Sequence, residues 1–342
     1  MRKIRVCTPV IALVLFFVFI LHVLPLVGQN LNSPGGRENS APVAHPRRSF
    51  TPPTKSFTVG KNPRGIAFDG ANIWVANRDD NNVTELRASD GTVLRTVAVR
   101  TAPDGVLFDG ANIWVVNQGR DRKVAGSVTK LNPANGTTLG NFPVGKHPST
   151  AAFDGANIWV ANPYDSTVTK LRAKDGTRVG TYPVGFYPYG VIFDGANIWV
   201  ANFGDNDVTK LRASDGALLG TYSVGNRPLV PAFDGENLWV ANHGSSTVTK
   251  LRPRDGVVLG TFNVPVKAYG AICVGTTVWI ANDGGNSVTE LRTTDGSVLR
   301  TIPVGVSPQA FAFDGSSVWV TNSLSQSVTK ILASGDDGIA KP

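Results

Sequence analysis

Conventional acid–base residues are scarce in this chain. Four histidines occur in 342 residues, and only His147 and His243 lie beyond residue 55. An imidazole within reach of a carboxylate is the pairing that moves protons near neutral pH. Asp104 is the natural partner for His147, since both fall in loops of the same kind. The glutamates in the same region are Glu85, Glu236 and Glu290. No Gly-rich phosphate loop, zinc-type spacing, nucleophile elbow or EF-hand loop occurs. Asp79-Asp80-Asn81-Asn82 and Asp205-Asn206-Asp207 are oxygen-rich enough to hold Ca²⁺, but they read as ordinary polar loops. No cofactor and no metal is expected. More numerous are residues suited to gripping a partner: Arg64, Tyr164, Tyr187, Tyr189, Phe203, Arg227, Tyr269 and Gln309.

What must position these residues is a repeat. The segment Phe68-Asp69-Gly70-Ala71-Asn72-Ile73-Trp74-Val75-Ala76-Asn77 returns six more times, and each copy carries one of the seven tryptophans. Successive tryptophans are 40 residues apart, except for 45 between Trp114 and Trp159. Each copy contains four short runs rich in Val, Ile, Leu, Thr and aromatics, here lettered A to D. In the first copy they fall near 65–68, 72–76, 82–88 and 93–99. Asp-Gly and Asn in the A–B and C–D turns tolerate the positive φ of tight hairpins. No run of ten residues keeps a helical period without a Gly, Pro or Asp-Gly break.

A four-stranded antiparallel unit of this length is a propeller blade. One blade cannot bury both faces, whereas seven in a ring bury each face against a neighbour. The last copy stops after strand C, at Ala333-Ser334-Gly335. Ser56-Phe57-Thr58-Val59-Gly60 matches the strand-D ends Thr181–Gly185 and Thr221–Gly225. The expected fold is therefore an all-β, seven-bladed propeller over 56–334, closed by an N-terminal strand at 56–60 that completes the last blade. Cys273 replaces a Phe of the repeat and reads as a small core hydrophobe. The Asn that closes each strand B is expected to cap its own B–C turn by a bond to backbone.

Trp319-Val320-Thr321-Asn322, after Phe313-Asp314-Gly315, resembles the YVTN-type β-propeller repeat with Trp in place of Tyr. The Val-Gly-x-x-Pro and Val-Thr-Lys-Leu pieces fit the same pattern. The chain is more distantly similar to virginiamycin B lyase, a propeller of comparable repeat length. That resemblance implies a catalytic His with Glu-held magnesium. Here Glu85 and Glu290 stand where other copies have the Lys of Val-Thr-Lys, on strand C. Glu236 stands in an A–B turn, on the face opposite the loops carrying His147 and His243.

Compared with one another, the copies barely differ in turns A–B and C–D and differ strongly in loops D–A and B–C. In a propeller those two loops open on one face, around the axis. A uniform scaffold with one diversified face suits a binding surface. Its D–A loops carry Arg64, Asp104, His147, Tyr187, Tyr189, Arg227, Tyr269 and Gln309. Its B–C loops carry Tyr164, Phe203 and His243. The first functional expectation is a non-enzymatic binding module for a protein, peptide or polysaccharide. A lyase or hydrolase working in the central funnel, or a purely structural surface protein, are the alternatives.

Arg2, Lys3 and Arg5 precede an apolar run from about Val10 to Val27, the pattern of an export signal or membrane anchor over 1–28. A Pro-, Ser- and Arg-containing linker is expected over 29–55 and a short tail over 335–342. These features place the folded part outside the cytoplasm, in the periplasm or at the cell surface, as a monomer touching membrane only through its N-terminal segment. The net charge of +8 does not imply nucleic acid, because beyond residue 55 the chain has 26 basic and 24 acidic residues.

Overall fold

The computed structural model describes residues 52–333. The expected export segment, most of the linker and the C-terminal tail lie outside them. Among the described residues 28 strands group into four-stranded antiparallel units, and no α-helix occurs. The first unit runs Pro63–Phe68 (A), Asn72–Asn77 (B), Asn82–Arg87 (C) and Val93–Ala98 (D). Six further units follow the same order. The fifth and sixth share one sheet only because Val230 and Gly270 form a single parallel bridge between their A strands. Three-residue 3₁₀ turns occupy the B–C loops at Pro163–Asp165 and Asp283–Gly285.

The first strand, Thr54–Thr58, pairs antiparallel with Ser327–Leu332 and completes the sheet of the last unit. It starts two residues earlier than the repeat motif indicates, because Thr54 and Lys55 still find partners in Ile331 and Lys330. The two ends of the repeat also meet through side chains. Thr321 Oγ1 donates to the carbonyl of Arg64 at 2.8 Å, and Lys330 Nζ donates to that of Ala88 at 2.7 Å. Ile66, Ile73 and Leu86 of the first unit pack in one core with Trp319 and Val328 of the last.

Core packing explains the repeat. Each apolar cluster is drawn from two neighbouring units, as when Trp159 and Val168 pack on Ile198, Val200 and Leu211. All seven Trp are buried to 1 % exposure or less. A buried indole N–H needs an acceptor. In six units the Asp of the A–B turn supplies it, at 2.7–2.8 Å, while its other oxygen caps the turn's backbone. The sixth unit has Val274-Gly275 at that point, and Trp279 donates to Thr277 Oγ1 instead. The turn aspartates are thus held by structure.

A cation covers each Trp ring. In five units it is the Lys of Val-Thr-Lys, 4.7–5.2 Å from the ring centre. The same ammonium donates to a carbonyl of the next unit, as Lys170 does to Ala213 at 2.7 Å. Where Glu85 and Glu290 replace that Lys, Arg95 and Arg300 appear on strand D, ion-pair with them and stand over Trp74 and Trp279. Arg95 also reaches the carbonyls of Pro133 and Ala134 in the next unit. These two glutamates therefore belong to the joints between units.

The Asn closing strand B is fully or almost fully buried in every copy. Its amide donates mainly to a side chain, the Thr of Val-Thr-Lys, at 2.7–3.0 Å. The expected bond to turn backbone is replaced because strands B and C bring that Thr opposite the amide inside the sheet. Cys273 is packed against the core, and burial pushes its thiol well up.

Two outcomes follow. Trp159→Ala should cost about 3–5 kcal/mol in chemical denaturation, with loss of the cover for Lys170. Deleting residues 52–58 leaves Ser327–Leu332 an open edge and should lower the melting midpoint; an unchanged midpoint would refute closure by the first strand.

Candidate functional site

Loops D–A and B–C lie side by side within each unit, as the repeat pattern predicts. The residue after the strand-B Asn donates its N–H to the carbonyl of the residue two before the strand-A ring position. Gln118 pairs so with Ala102, Phe203 with Tyr187, His243 with Arg227, and Ser323 with Ser307, at 2.9–3.0 Å. In all seven units the residue that ends loop D–A at the rim (Asn62, Ala102, His147, Tyr187, Arg227, Lys267 and Ser307) adopts positive φ, between 52° and 61°, although none is Gly. His147, Tyr187 and Arg227 occupy that position. The left-handed backbone turns the chain sharply at the rim and sets these side chains beside the B–C loop.

Two residues further on, the repeat carries Arg64, Asp104, Ser149, Tyr189, Leu229, Tyr269 and Gln309 in successive units. Arg64, Asp104, Tyr189, Tyr269 and Gln309 line an axial cavity of about 170 Å³, whose deeper wall includes Ile66, Val106, Val191 and Phe311. The polar members bridge the axis. Tyr189 OH donates to Asp104 at 3.3 Å and lies 2.5 Å from Tyr269 OH. Arg64 Nη1 donates to Gln309 at 2.9 Å and reaches Tyr269 OH at 3.5 Å. Gln309 in turn donates to Ser323 at 3.2 Å. This network plugs the channel and ties together five units.

A second group lies on the rim. Tyr164 meets His147 at 5.0 Å and Tyr187 at 5.5 Å between ring centres, and Tyr187 meets Phe203 at 5.6 Å. Arg122 stands over Tyr164 and Arg227 over Phe203, each at 5.7 Å. The result is an aromatic arc with a guanidinium at each end. Tyr164 is 38 % exposed and the adjoining Phe186 62 %.

His243 belongs to neither group's centre. It touches Tyr269 edge-on and lies 3.7 Å from Asp283, longer than a hydrogen bond. Asp283 is bonded by Ser307. Burial favours the neutral form of Asp283, but His243 and Ser307 hold its carboxyl below its usual range. His147 makes no hydrogen bond to Asp104. Burial lowers its pKa, against the pull of Asp104, and its Nδ1 is buried without a partner. The remaining oxygen-rich loops are occupied by structure: Asp80 accepts from Lys61 N–H and Asp205 from Phe186 N–H.

Arg78 and Gln118 were not singled out by sequence. They follow the strand-B Asn of the first two units and bond to each other at 2.7 Å. The signal was present, since Phe203 and His243 hold the same position in later units. Arg64 Nε and Arg78 Nε are both buried without a hydrogen-bond partner.

Strand order, inter-unit packing and an axial opening define the class: a β-propeller of four-stranded antiparallel sheets. Among solved structures, a streptogramin B lyase superposes with a TM-score of 0.69 at 19% identity, over 82% of this chain and 97% of its own. The hydrazine synthase of Kuenenia stuttgartiensis gives 0.68 at 18%, over 80% and 96%. At such identities the likeness is one of fold. No family model and no curated protein matches the chain.

Asp104 is 5 % exposed. Burial raises its pKa, although Arg64, Arg78 and Tyr189 oppose the shift. A carboxyl whose folded pKa lies above its unfolded value contributes most favourably while protonated, at low pH. That contribution is lost as pH rises from the ordinary 3.8 through the folded value. Asp104→Asn, which cannot ionise, should gain stability relative to the parent as pH is raised from about 4 to 7. Melting curves across that range test it; a difference that shrinks with pH would contradict the assignment.

Proposed function

We propose that this propeller is a non-enzymatic binding module whose ligand lies on the face built by loops D–A and B–C. One observation carries the reading. The seven units agree at the buried Trp, the turn glycines and the Asn–Thr pair, and differ at the axis-facing and rim positions. Among the residues that differ, Arg and Tyr recur, types that anchor partners, beside Phe, His and Gln. Rigid strands hold them, so little conformational freedom is lost on binding. We place this face outside the cytoplasm, on the strength of Arg2, Lys3 and Arg5 before the apolar run. The partner classes that fit are protein, peptide and polysaccharide.

The alternative reading is a lyase or hydrolase in the funnel. It draws support from the fold shared with a streptogramin B lyase and from the buried Asp104 beside Tyr189. Against it, neither histidine is hydrogen-bonded to an acid there, and Glu85 and Glu290 are ion-paired at the joints.

The test is capture from envelope and extracellular extracts with the parent chain and two double variants. Tyr187→Ala with Phe203→Ala alters the variable face; Leu218→Ala with Leu259→Ala alters exposed strand-D positions of the fourth and fifth units. Each lost anchor should weaken capture about tenfold in the first variant and leave the second unchanged. Capture that ignores the first variant, or nothing reproducibly captured, overturns the reading.

A further inference from the structure

The two ends of the fold treat arginine in opposite ways. At the C–D turns, Arg87, Arg172, Arg212, Arg252 and Arg292 each pair with the turn's Asp, three residues on. On the variable face, Arg64, Arg78, Arg122 and Arg227 form no ion pair among the described residues. Their direct partners are neutral: Gln309 for Arg64, Gln118 for Arg78, Tyr164 for Arg122 and Phe203 for Arg227, although Arg64 and Arg78 also feel the buried Asp104. Meanwhile the carboxylates of this face are engaged. Asp79 and Asp80 take the side chain and backbone of the first D–A loop, Asp165 takes Lys146, and Asp283 takes Ser307. The acids fix loops and the guanidiniums are left for something else.

We infer that the ligand of this face is an acidic polysaccharide, its rings lying along Tyr164, Tyr187 and Phe203 and its carboxylates meeting Arg122 and Arg227. The inference rests on the binding-face reading above and adds the chemistry of the ligand. Guanidinium is suited to a carboxylate because two parallel N–H groups match its two oxygens. A sugar ring presents a flat C–H surface to an aromatic face and hydroxyls to the polar groups around it. An acidic peptide would gain its main-chain bonds at a sheet edge. Here the strand-A edges surround the plugged axis and the strand-D edges face outward, so none runs beside the aromatic arc. Single-stranded nucleic acid also stacks on aromatics, but it follows a basic groove, and the repeat region has nearly balanced charge.

Affinity electrophoresis of the full chain in gels of polygalacturonate, its fully methyl-esterified form, poly-L-glutamate and oligo-dT tests this. Retardation should occur with polygalacturonate and fall at least tenfold on esterification. Arg122→Gln with Arg227→Gln should lose it and flatten its salt dependence. Tyr187→Ala should weaken it with the salt dependence kept. Arg212→Gln, at a C–D turn, is the control and should change nothing. Unaltered melting midpoints separate lost binding from lost folding. Equal retardation by the esterified polymer overturns the acidic requirement. Tighter binding of poly-L-glutamate or oligo-dT overturns the glycan, and so does indifference to all four. Those outcomes differ from failure of the binding face itself. Extract capture lost by the Tyr187/Phe203 variant, with polygalacturonate ignored, keeps the face and removes the glycan.

Discussion

The buried tryptophan governs this fold. Its ring fills the gap between two units, and its N–H would be an orphan there without the turn aspartate or, in the sixth unit, Thr277. Its open face takes a cation that also bonds to the next unit's backbone. One side chain thereby sets the A–B turn, the B–C–D pairing and the spacing to the neighbour. The coupled exchange of Lys for a Glu–Arg pair keeps this arrangement. Where Arg95 and Arg300 lie over the Trp, strand D carries Val97 and Ile302. Where Lys does so, strand D carries an aromatic ring two residues after a Gly, such as Gly180 and Tyr182, which packs on Trp159 at 5.3 Å; in the last unit Lys55 takes the Gly position before Phe57. The same Tyr182 fills the space that a side chain at Gly216 would need in the next unit's turn.

A scaffold so constrained leaves few positions free to vary. Along strand A only the axis-facing residue and the one at the rim escape inter-unit packing. Along loop B–C the free positions are the residue after the buried Asn and, where the loop allows, further ones such as Tyr164 and Arg122. Function has to collect at those positions. They separate into an inner plug and an outer arc, and the two have different physics. The plug is a chain of bonds between phenol, guanidinium, amide and carboxyl, and it ties together residues from five units. The arc is exposed, aromatic and tipped with unpaired charge.

Much of the architecture was legible in the repeat. Trp spacing gave the unit, and the missing last strand D with the spare Phe57 segment gave the closure. Of the site, Arg64, Asp104, Tyr189, Tyr269 and Gln309 could be assigned to one face because all fall at one repeat position. Arg78 and Gln118 share the repeat position of Phe203 and His243, but their own loops read as polar turns, and only the fold shows the two bonded to each other. The role of Glu85 and Glu290 was also hidden, since their Arg partners lie ten residues away on another strand.

The sequence by itself determined the strand order, the turn chemistry and the face that varies, because these follow from local spacing and from comparison of one copy with another. Only the tertiary structure decided which varied residues touch. Closing the ring brings Tyr189 against Tyr269, 80 residues apart, and Arg64 against Gln309, 245 apart. It also decided which charges are spent. An Asp three residues from an Arg neutralises it across a turn, while Arg122 and Arg227, set over rings on the rim, form no ion pair among the described residues.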